Sequence, residues 1–254
     1  MPAHTEHDFE AAIEAGLTSS GGYETRSPAA YDEALALFPE DVTGFLKASQ
    51  PAKWAALEAL LGDKTAATVV DGLAKELALK GTLHVLRHGF KCYGKTFRMA
   101  WFRPNTRMNP EAAEQYAKNR LTIARQVGFT SVMKRPGGQH RRCIIDVALA
   151  VNGIPVVTAE LKNPLTGQRA ADAMEQYAHD RDERDLLFAF KQRALVHFAV
   201  DPDAVWMTTR LRGKETRFLP FNRGNNHGAG NPPTESNWKT LYLWDEVLEA
   251  DSLL

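Results

Sequence analysis

The sequence predicts an α/β fold in which a mixed β-sheet is flanked by helices and preceded by additional N-terminal helices. Two observations lead to this prediction. Apolar residues recur at helical spacing through most of the first 80 residues. Beyond that point, runs rich in β-branched and aliphatic residues alternate with further helical segments. Strands that alternate with helices along a chain are typical of a sheet covered by helices.

The N-terminal part is predicted to be helical. Phe9, Ile13 and Leu17 form one apolar stripe within residues 6–18, and Gly21-Gly22 ends that helix. Further helices are predicted at residues 29–37, 41–48, 51–61 and 66–79.

The pattern changes after Gly81. Strands are expected at residues 82–90, 96–102, 131–134, 144–151, 154–161, 194–200 and 205–211. Helices are expected at residues 110–126, 167–182 and 241–254, and the Asn-, Gly- and Pro-rich stretch 221–238 is expected to be a loop.

Composition excludes several classes of protein. Lys plus Arg and Asp plus Glu both number 31, so a polyanionic partner must be bound by a local patch. Two cysteines, Cys92 and Cys143, are too few for a disulfide framework, which is typical of a cytoplasmic protein. The polar N-terminus does not have the apolar core of a signal peptide, and no apolar run has the length of a membrane helix.

One predicted hairpin carries a candidate reaction centre. Asp146 begins an apolar run, Asn152-Gly153 follows as a turn signal, and the next run ends in Glu160-Leu161-Lys162. Two carboxylates suit a divalent cation, and an ammonium group suits water and phosphate. This arrangement is typical of a metal-dependent nuclease, although a pattern of this kind also arises from surface charges that flank a buried strand.

The geometry of the hairpin tests this interpretation. Because side chains alternate along a strand, a regular two-residue loop would place Asp146 and Glu160 on opposite sides of the sheet. A three-residue loop ending in Gly153, or a β-bulge near Pro155, would place them on the same side. The nuclease interpretation therefore predicts an odd loop or a bulge.

The residues of this centre have distinct expected roles. Asp146 and Glu160 would bind Mg²⁺, for which Mn²⁺ is the expected substitute, and the Leu161 carbonyl would be a further ligand. Lys162 would position or deprotonate the attacking water and contact the phosphate.

Other polar residues are candidates of lower specificity. Glu10, beside the stripe of the first helix, is a possible additional metal-site carboxylate or a solvated helix residue. Gln176 either contacts phosphate or is a surface amide. The basic stretch before Asp146 is either a phosphate contact or a solvated loop; its cations are Lys134, Arg135, Arg141 and Arg142. The histidines do not have the spacing of zinc ligands, and His197 is expected to be a core residue.

A second motif offers an alternative function. Residues 89–96 fit the phosphate-loop pattern G-x-x-x-x-G-K-T letter for letter. A phosphate loop requires a helix that starts at the Lys-Thr pair, whereas Thr96 is followed by a strand-like run. A nucleotide-binding module at Gly89–Thr96 is therefore the alternative, and a hairpin turn with a solvated Lys95 is the structural interpretation.

Several motifs together resemble the restriction (R) subunit of type I restriction–modification enzymes. Residues 151–168 resemble the nuclease signature of that family. The other matching segments are residues 119–126, 195–201, 207–211, 218–222, 228–232 and 242–244. The resemblance covers most of residues 80–254 and, more loosely, the N-terminal helices.

The resemblance implies a PD-(D/E)xK nuclease core that cuts double-stranded DNA with Mg²⁺. The metal and catalytic positions of the family fall on Asp146, Glu160 and Lys162, and its first-helix acidic position falls on Glu10. A Gln-x-x-x-Tyr motif falls on Gln176, but residue 180 is Asp rather than Tyr, which leaves the role of Gln176 open.

The resemblance also implies partners. The family domain precedes an ATP-driven DNA translocase and works with methylation (M) and specificity (S) subunits, so ATP would act only through that motor. We expect residues 1–222 to form the nuclease domain with its N-terminal helices, and residues 223–254 to be a linker and the start of the motor. Two further possibilities are a related repair or transposon nuclease and a non-cleaving scaffold that docks the motor and partner subunits.

Overall fold

The computed structural model describes residues 6–104, 108–134, 137–164, 167–234 and 238–254. Its N-terminal elements, in chain order, are α1 (Glu6–Ser19), β1 (Tyr23–Arg26), α2 (Pro39–Ser49), α3 (Pro51–Leu61), α4 (Thr65–Lys80), α5 (Thr82–His88), β2 (Phe90–Cys92) and β3 (Lys95–Phe97). There follow α6 (Pro110–Tyr116), β4 (Leu121–Lys134), β5 (His140–Val151), β6 (Ile154–Leu161), α7 (Ala170–Asp180), β7 (Val196–Val200), β8 (Val205–Thr208), β9 (Leu219–Pro220) and α8 (Ala250–Leu253).

A seven-stranded mixed sheet organises the described chain, and the predicted α/β class is confirmed. The strand order is β1-β4-β5-β6-β7-β8-β9. Strand β1 runs parallel to β4 and β6 runs parallel to β7, whereas the other neighbours are antiparallel. Strands β2 and β3 form a separate small hairpin.

Two apolar cores cover the two faces of the sheet. The first contains Val147, Leu149 and Val151 of β5 and packs against the N-terminal helices and Trp244. The second contains Ala148 and Ala150 of β5, together with Tyr177 of α7 and Phe129, Phe188 and Leu211. Alternation along β5 therefore sends neighbouring residues into opposite cores.

The start of strand β4 is buried on both faces of the sheet, which explains one error of prediction. Residues 110–126 were expected to be a single helix, but the helix ends at Tyr116 and β4 begins at Leu121. The first four residues of β4 are all buried. A strand buried on both faces reads as a continuous apolar run, which periodicity does not distinguish from a buried helix.

Two further predictions of elements were wrong, and one strand was missed. A strand was expected at residues 82–90, but Thr82–His88 forms helix α5, which packs against α4, and strand β2 begins only at Phe90. Residues 29–37 contain a short 3₁₀ turn, Pro28–Ala30, rather than a helix. Strand β1 had not been predicted, since its four residues are too few for a periodic signal. None of the helices among the described residues has the length and apolar character of a membrane span.

Candidate active site

The hairpin between β5 and β6 has a two-residue turn and a bulge. Asn152 and Gly153 have φ values of 52° and 84°, as in a type I′ turn, and Val151 faces Ile154. Ala150 faces Pro155, but Leu149 faces Val157, so Val156 is the extra residue of the bulge. The predicted bulge near Pro155 is confirmed, and the three-residue loop was wrong.

The bulge brings the two acidic residues to the same side of the sheet. Because Val147 faces Ala159, the register places Asp146 opposite Glu160. The ladder between β5 and β6 stops at this point, while β5 continues toward His140 paired with β4. The sheet therefore forks at Asp146 and Glu160. The Asp146 side chain spans the start of the fork, since its Oδ2 accepts a hydrogen bond of 2.7 Å from the Leu161 amide.

Arg181 fills the fork on the α7 side. Its Nε and Nη2 donate to Glu160 Oε1 at 2.7 and 2.5 Å, and Nη2 also donates to the Ile144 carbonyl at 2.7 Å. The Ile144 carbonyl belongs to the part of β5 that has left β6, so Arg181 joins the two arms of the fork. Its guanidinium also lies 5.7 Å from the ring centre of Phe129.

Glu160 is fully buried, and only one of its two carboxylate oxygens accepts hydrogen bonds from the described residues. Its Oε1 is bound by Arg181, but among the described residues its Oε2 does not have a hydrogen-bond partner. Burial is the main cause that raises the pKa of Glu160 well above the usual value, and the charge of Asp146 raises it further, while Arg181 opposes both. A buried carboxylate oxygen without a partner, beside a second carboxylate, is an unfavourable arrangement unless a proton or a metal cation is bound.

Lys162 lies two residues after Glu160, directly beyond the end of β6 at Leu161. Its backbone amide donates to the Val200 carbonyl at 2.9 Å, which continues the pairing with β7 and keeps Lys162 on the side of Glu160. The side chain is 8% exposed. Within the described ranges, its ammonium group is not in an ion pair, so it is available to a phosphate or a water molecule.

The carboxylate of Glu10 is bound by other residues of the chain. It accepts from Gln126 at 2.7 Å and pairs with Arg125 at 3.0 Å. Burial raises the pKa of Glu10, and the charge of Asp146 also raises it, whereas Arg125 and Gln126 oppose the shift. In the described part of the chain, no three acidic, His or Cys side chains form a metal-binding group. Metal binding by Glu10 therefore stays a prediction.

Gln176 and the Leu161 carbonyl also stay predictions. Gln176 is half-buried on α7, whereas its neighbour Tyr177 is fully buried in the second core. Leu161 is buried beside the carboxylate pair, and its amide is bound by Asp146.

The predicted basic loop is largely paired with acidic residues. Arg141 bonds Asp180 at 2.6 Å, and Arg142 forms an ion pair with Glu33. Lys134 is exposed at the end of β4, and Arg135 lies outside the described residues. DNA binding by these four residues stays a prediction.

The phosphate-loop alternative is contradicted by the fold. Helix α5 precedes Gly89, and residues 90–97 form the hairpin of β2 and β3 with its turn at Tyr93-Gly94. Because a strand rather than a helix follows Lys95 and Thr96, the motif does not have the helix N-terminus that binds phosphate.

Arg181 was not predicted from the sequence. Its only signal was its position at the end of a predicted helix that follows the hairpin. The expectation that His197 is a core residue is confirmed. It is 1% exposed, its Nδ1 lies 2.7 Å from the Thr158 hydroxyl, and the Thr158 hydroxyl lies 2.9 Å from that of Tyr177. Burial lowers the pKa of His197 to about 3, so the imidazole is neutral.

A comparison with known protein families gives one match. Residues 97–216 match the family model of the type I restriction enzyme R protein N terminus. This part of the chain is therefore similar to that family. The matched segment comprises a little under half of the sequence and contains Asp146, Glu160, Lys162 and Arg181. No curated protein matches the chain. The family is that of the N-terminal, nuclease region of a restriction subunit, and it implies a multisubunit complex and a DNA substrate.

Proposed function

We propose that this chain is the Mg²⁺-dependent endonuclease part of a type I restriction R subunit and hydrolyses phosphodiester bonds of double-stranded DNA. The proposal depends above all on the buried pair Asp146 and Glu160, in which Glu160 Oε2 does not have a partner among the described residues. The match of residues 97–216 to the R-protein family supports it independently.

The carboxylate pair fits a divalent cation. Mg²⁺ is typically bound by one or two carboxylates plus water and phosphate oxygens, so a third acidic ligand is not required. Asp146 and Glu160 would hold the ion, for which Mn²⁺ is a substitute. When bound, such an ion lowers the pKa of a water molecule and neutralises charge that develops on the phosphate.

The protein side chains have complementary roles in this proposal. Asp146 is fixed by the Leu161 amide and Glu160 by Arg181, so both carboxylates are oriented before a cation arrives. Lys162 contributes a positive charge that is not committed to an ion pair within the described chain, and it orients the attacking water or binds the scissile phosphate.

The full activity requires other components. We propose that the chain acts in the cytoplasm with methylation (M) and specificity (S) subunits, and that ATP enters only through an attached translocase motor. Sequence recognition belongs to the S subunit, so the cleavage itself is not specific for a sequence.

Cleavage by substituted enzymes tests the proposal. Asp146→Asn and Lys162→Met, placed in the complete restriction complex, should reduce plasmid cutting in Mg²⁺ by at least about 100-fold. ATP hydrolysis should remain, because the substitutions leave the motor unchanged. Asp203→Asn is the matched control, since Asp203 is half-exposed and bonds Lys239 on the surface.

Normal cutting by the Lys162→Met complex would contradict the proposal. The scaffold alternative predicts a different result. Substitutions that damage a docking domain would reduce assembly of the complex, and ATP hydrolysis would fall together with plasmid cutting.

A further inference from the structure

The connection between β8 and β9 concentrates positive charge. Residues 210–217 contain Arg210, Arg212, Lys214 and Arg217 and one acidic residue, Glu215. All four cationic side chains are exposed. We call these four residues the 210–217 basic loop. Because the whole chain has a formal net charge of zero, this charge is a local feature.

The cations of this loop do not have carboxylate partners among the described residues, whereas many other arginines of the chain do. Arg141, Arg142 and Arg184 each form an ion pair. Arg210 instead lies 4.8 Å from the ring centre of Phe190, a contact that leaves its charge unneutralised. The positive charge of the loop is therefore available to a partner, whereas the charges of Arg141, Arg142 and Arg184 are already balanced by acidic residues.

The loop is held in one conformation by its own hydrogen bonds. The Thr216 hydroxyl donates to the Gly213 carbonyl at 2.6 Å and accepts from the Arg212 amide at 2.8 Å. The Glu215 amide donates to the Arg212 carbonyl at 3.0 Å. A loop ordered in this way loses little conformational entropy when its side chains bind a partner.

The basic loop adjoins the candidate active site. A surface cleft of about 280 Å³ is lined by both Arg212 and Arg181, the residue that bonds Glu160. A second cleft, of about 820 Å³, is lined by all four cations of the loop and by Thr208, Thr209 and Thr216. Arg181 thus connects the carboxylate pair to the cleft beside the basic loop, and this cleft is also lined by Asp182 and Glu183.

We propose that the 210–217 basic loop binds the phosphate backbone of double-stranded DNA and positions the duplex at the Asp146–Glu160 pair. The inference rests on the proposed nuclease function and assigns a substrate surface to it. Exposed, unpaired arginine and lysine side chains are the groups that contact phosphate without reading sequence. This surface is distinct from the stretch 134–142, in which both described arginines are paired with acidic residues.

Salt-dependent DNA binding tests the proposal. The triple variant Arg212→Gln, Lys214→Gln and Arg217→Gln is compared with a control that removes the same charge, Lys64→Gln, Lys75→Gln and Lys91→Gln, all exposed and remote in sequence. Binding of a fluorescent blunt-ended duplex is measured by anisotropy in EDTA between 50 and 200 mM NaCl. Thermal unfolding confirms that both variants are folded.

The triple loop variant should bind at least about tenfold more weakly at 50 mM NaCl, and the slope of log K against log salt should fall by about 2 to 3. The control should change both quantities much less. Equal losses in the two variants, unchanged binding by the loop variant, or a wild-type chain that does not bind DNA in a salt-dependent way would each overturn the inference. Unchanged DNA binding would assign the loop to an acidic protein partner. Since no divalent metal is present, these results are independent of the Asp146→Asn cleavage test.

Discussion

At the scale of single residues, Arg181 partly neutralises the charge of the carboxylate pair when no metal ion is bound. Two neighbouring buried carboxylates repel each other, and each also loses hydration on burial. Arg181 compensates part of this cost at Glu160 Oε1, whereas Oε2 has no hydrogen-bond partner among the residues that the structure describes. The arginine is therefore an internal counter-ion that occupies one side of Glu160 while the other side remains available.

Substitution of Arg181 should expose this role. In EDTA, Arg181→Met should lower the free energy of unfolding by about 3–5 kcal/mol, because one partner of a buried ion pair is removed. Mn²⁺ should restore more stability to this variant than to the wild type, since the ion would then be the main counter-charge. Urea unfolding with and without Mn²⁺ measures both effects.

Arg141→Met is the control for this substitution. Arg141 bonds Asp180 at the end of the same helix, but it is about one-third exposed and does not contact either carboxylate, so a small loss is expected. An Arg181→Met protein that gains no more stability from Mn²⁺ than the wild type would contradict the counter-ion role.

At the scale of elements, the β5–β6 hairpin sets the geometry of the site. The turn is built into the fold: Asn152 is fully buried and bonds Met99, Asn119 and Arg120, and the Phe38 amide donates to the Gly153 carbonyl. A Cβ on Gly153 would lie 2.6 Å from the Phe38 carbonyl oxygen and 2.7 Å from the Val42 nitrogen.

Gly153→Ala should therefore destabilise the protein much more than Gly94→Ala. Both glycines have positive φ, at 84° and 73°, so both substitutions carry a backbone cost of about 1–2 kcal/mol. Only Gly153 also faces a steric clash with backbone atoms, whereas a Cβ on Gly94 would be in open space. Equal losses of stability in thermal unfolding would show that the turn is not packed as described.

The hairpin was predictable from sequence for a physical reason. Asn-Gly between two apolar runs specifies a tight turn, and side-chain alternation then decides which carboxylates share a side. The position of the bulge followed from Pro155, which disturbs a ladder. Helix α5 and residues 121–130 of strand β4 were not predictable, because their identity depends on burial against α4 and between the two cores rather than on local pattern.

Arg181 shows the corresponding limit at the site. Asp146, Glu160 and Lys162 form a local pattern with a known geometry, whereas Arg181 reaches Glu160 from the end of α7, 21 residues later. A contact of this kind depends on how a helix crosses the sheet, and sequence spacing does not contain that information.

At the scale of the whole molecule, the site lies where the sheet forks between its two cores. The C-terminal part of the chain belongs to the first of these cores: Trp244 is 2% exposed and its ring centre lies 5.8 Å from that of Phe9 on α1. The boundary at residue 222 stays a prediction. The balanced net charge leaves DNA binding to local surfaces such as the 210–217 basic loop, close to the fork.

The central claim is that Asp146 and Glu160 together bind one divalent cation at the fork. A crystal of the chain soaked in Mn²⁺, with anomalous diffraction measured at the manganese edge, tests it most directly. We expect an anomalous peak between the Asp146 carboxylate and Glu160 Oε2, and its loss in an Asp146→Asn crystal. A fork that remains without a peak, while Mn²⁺ is bound elsewhere on the same chain, would contradict the claim.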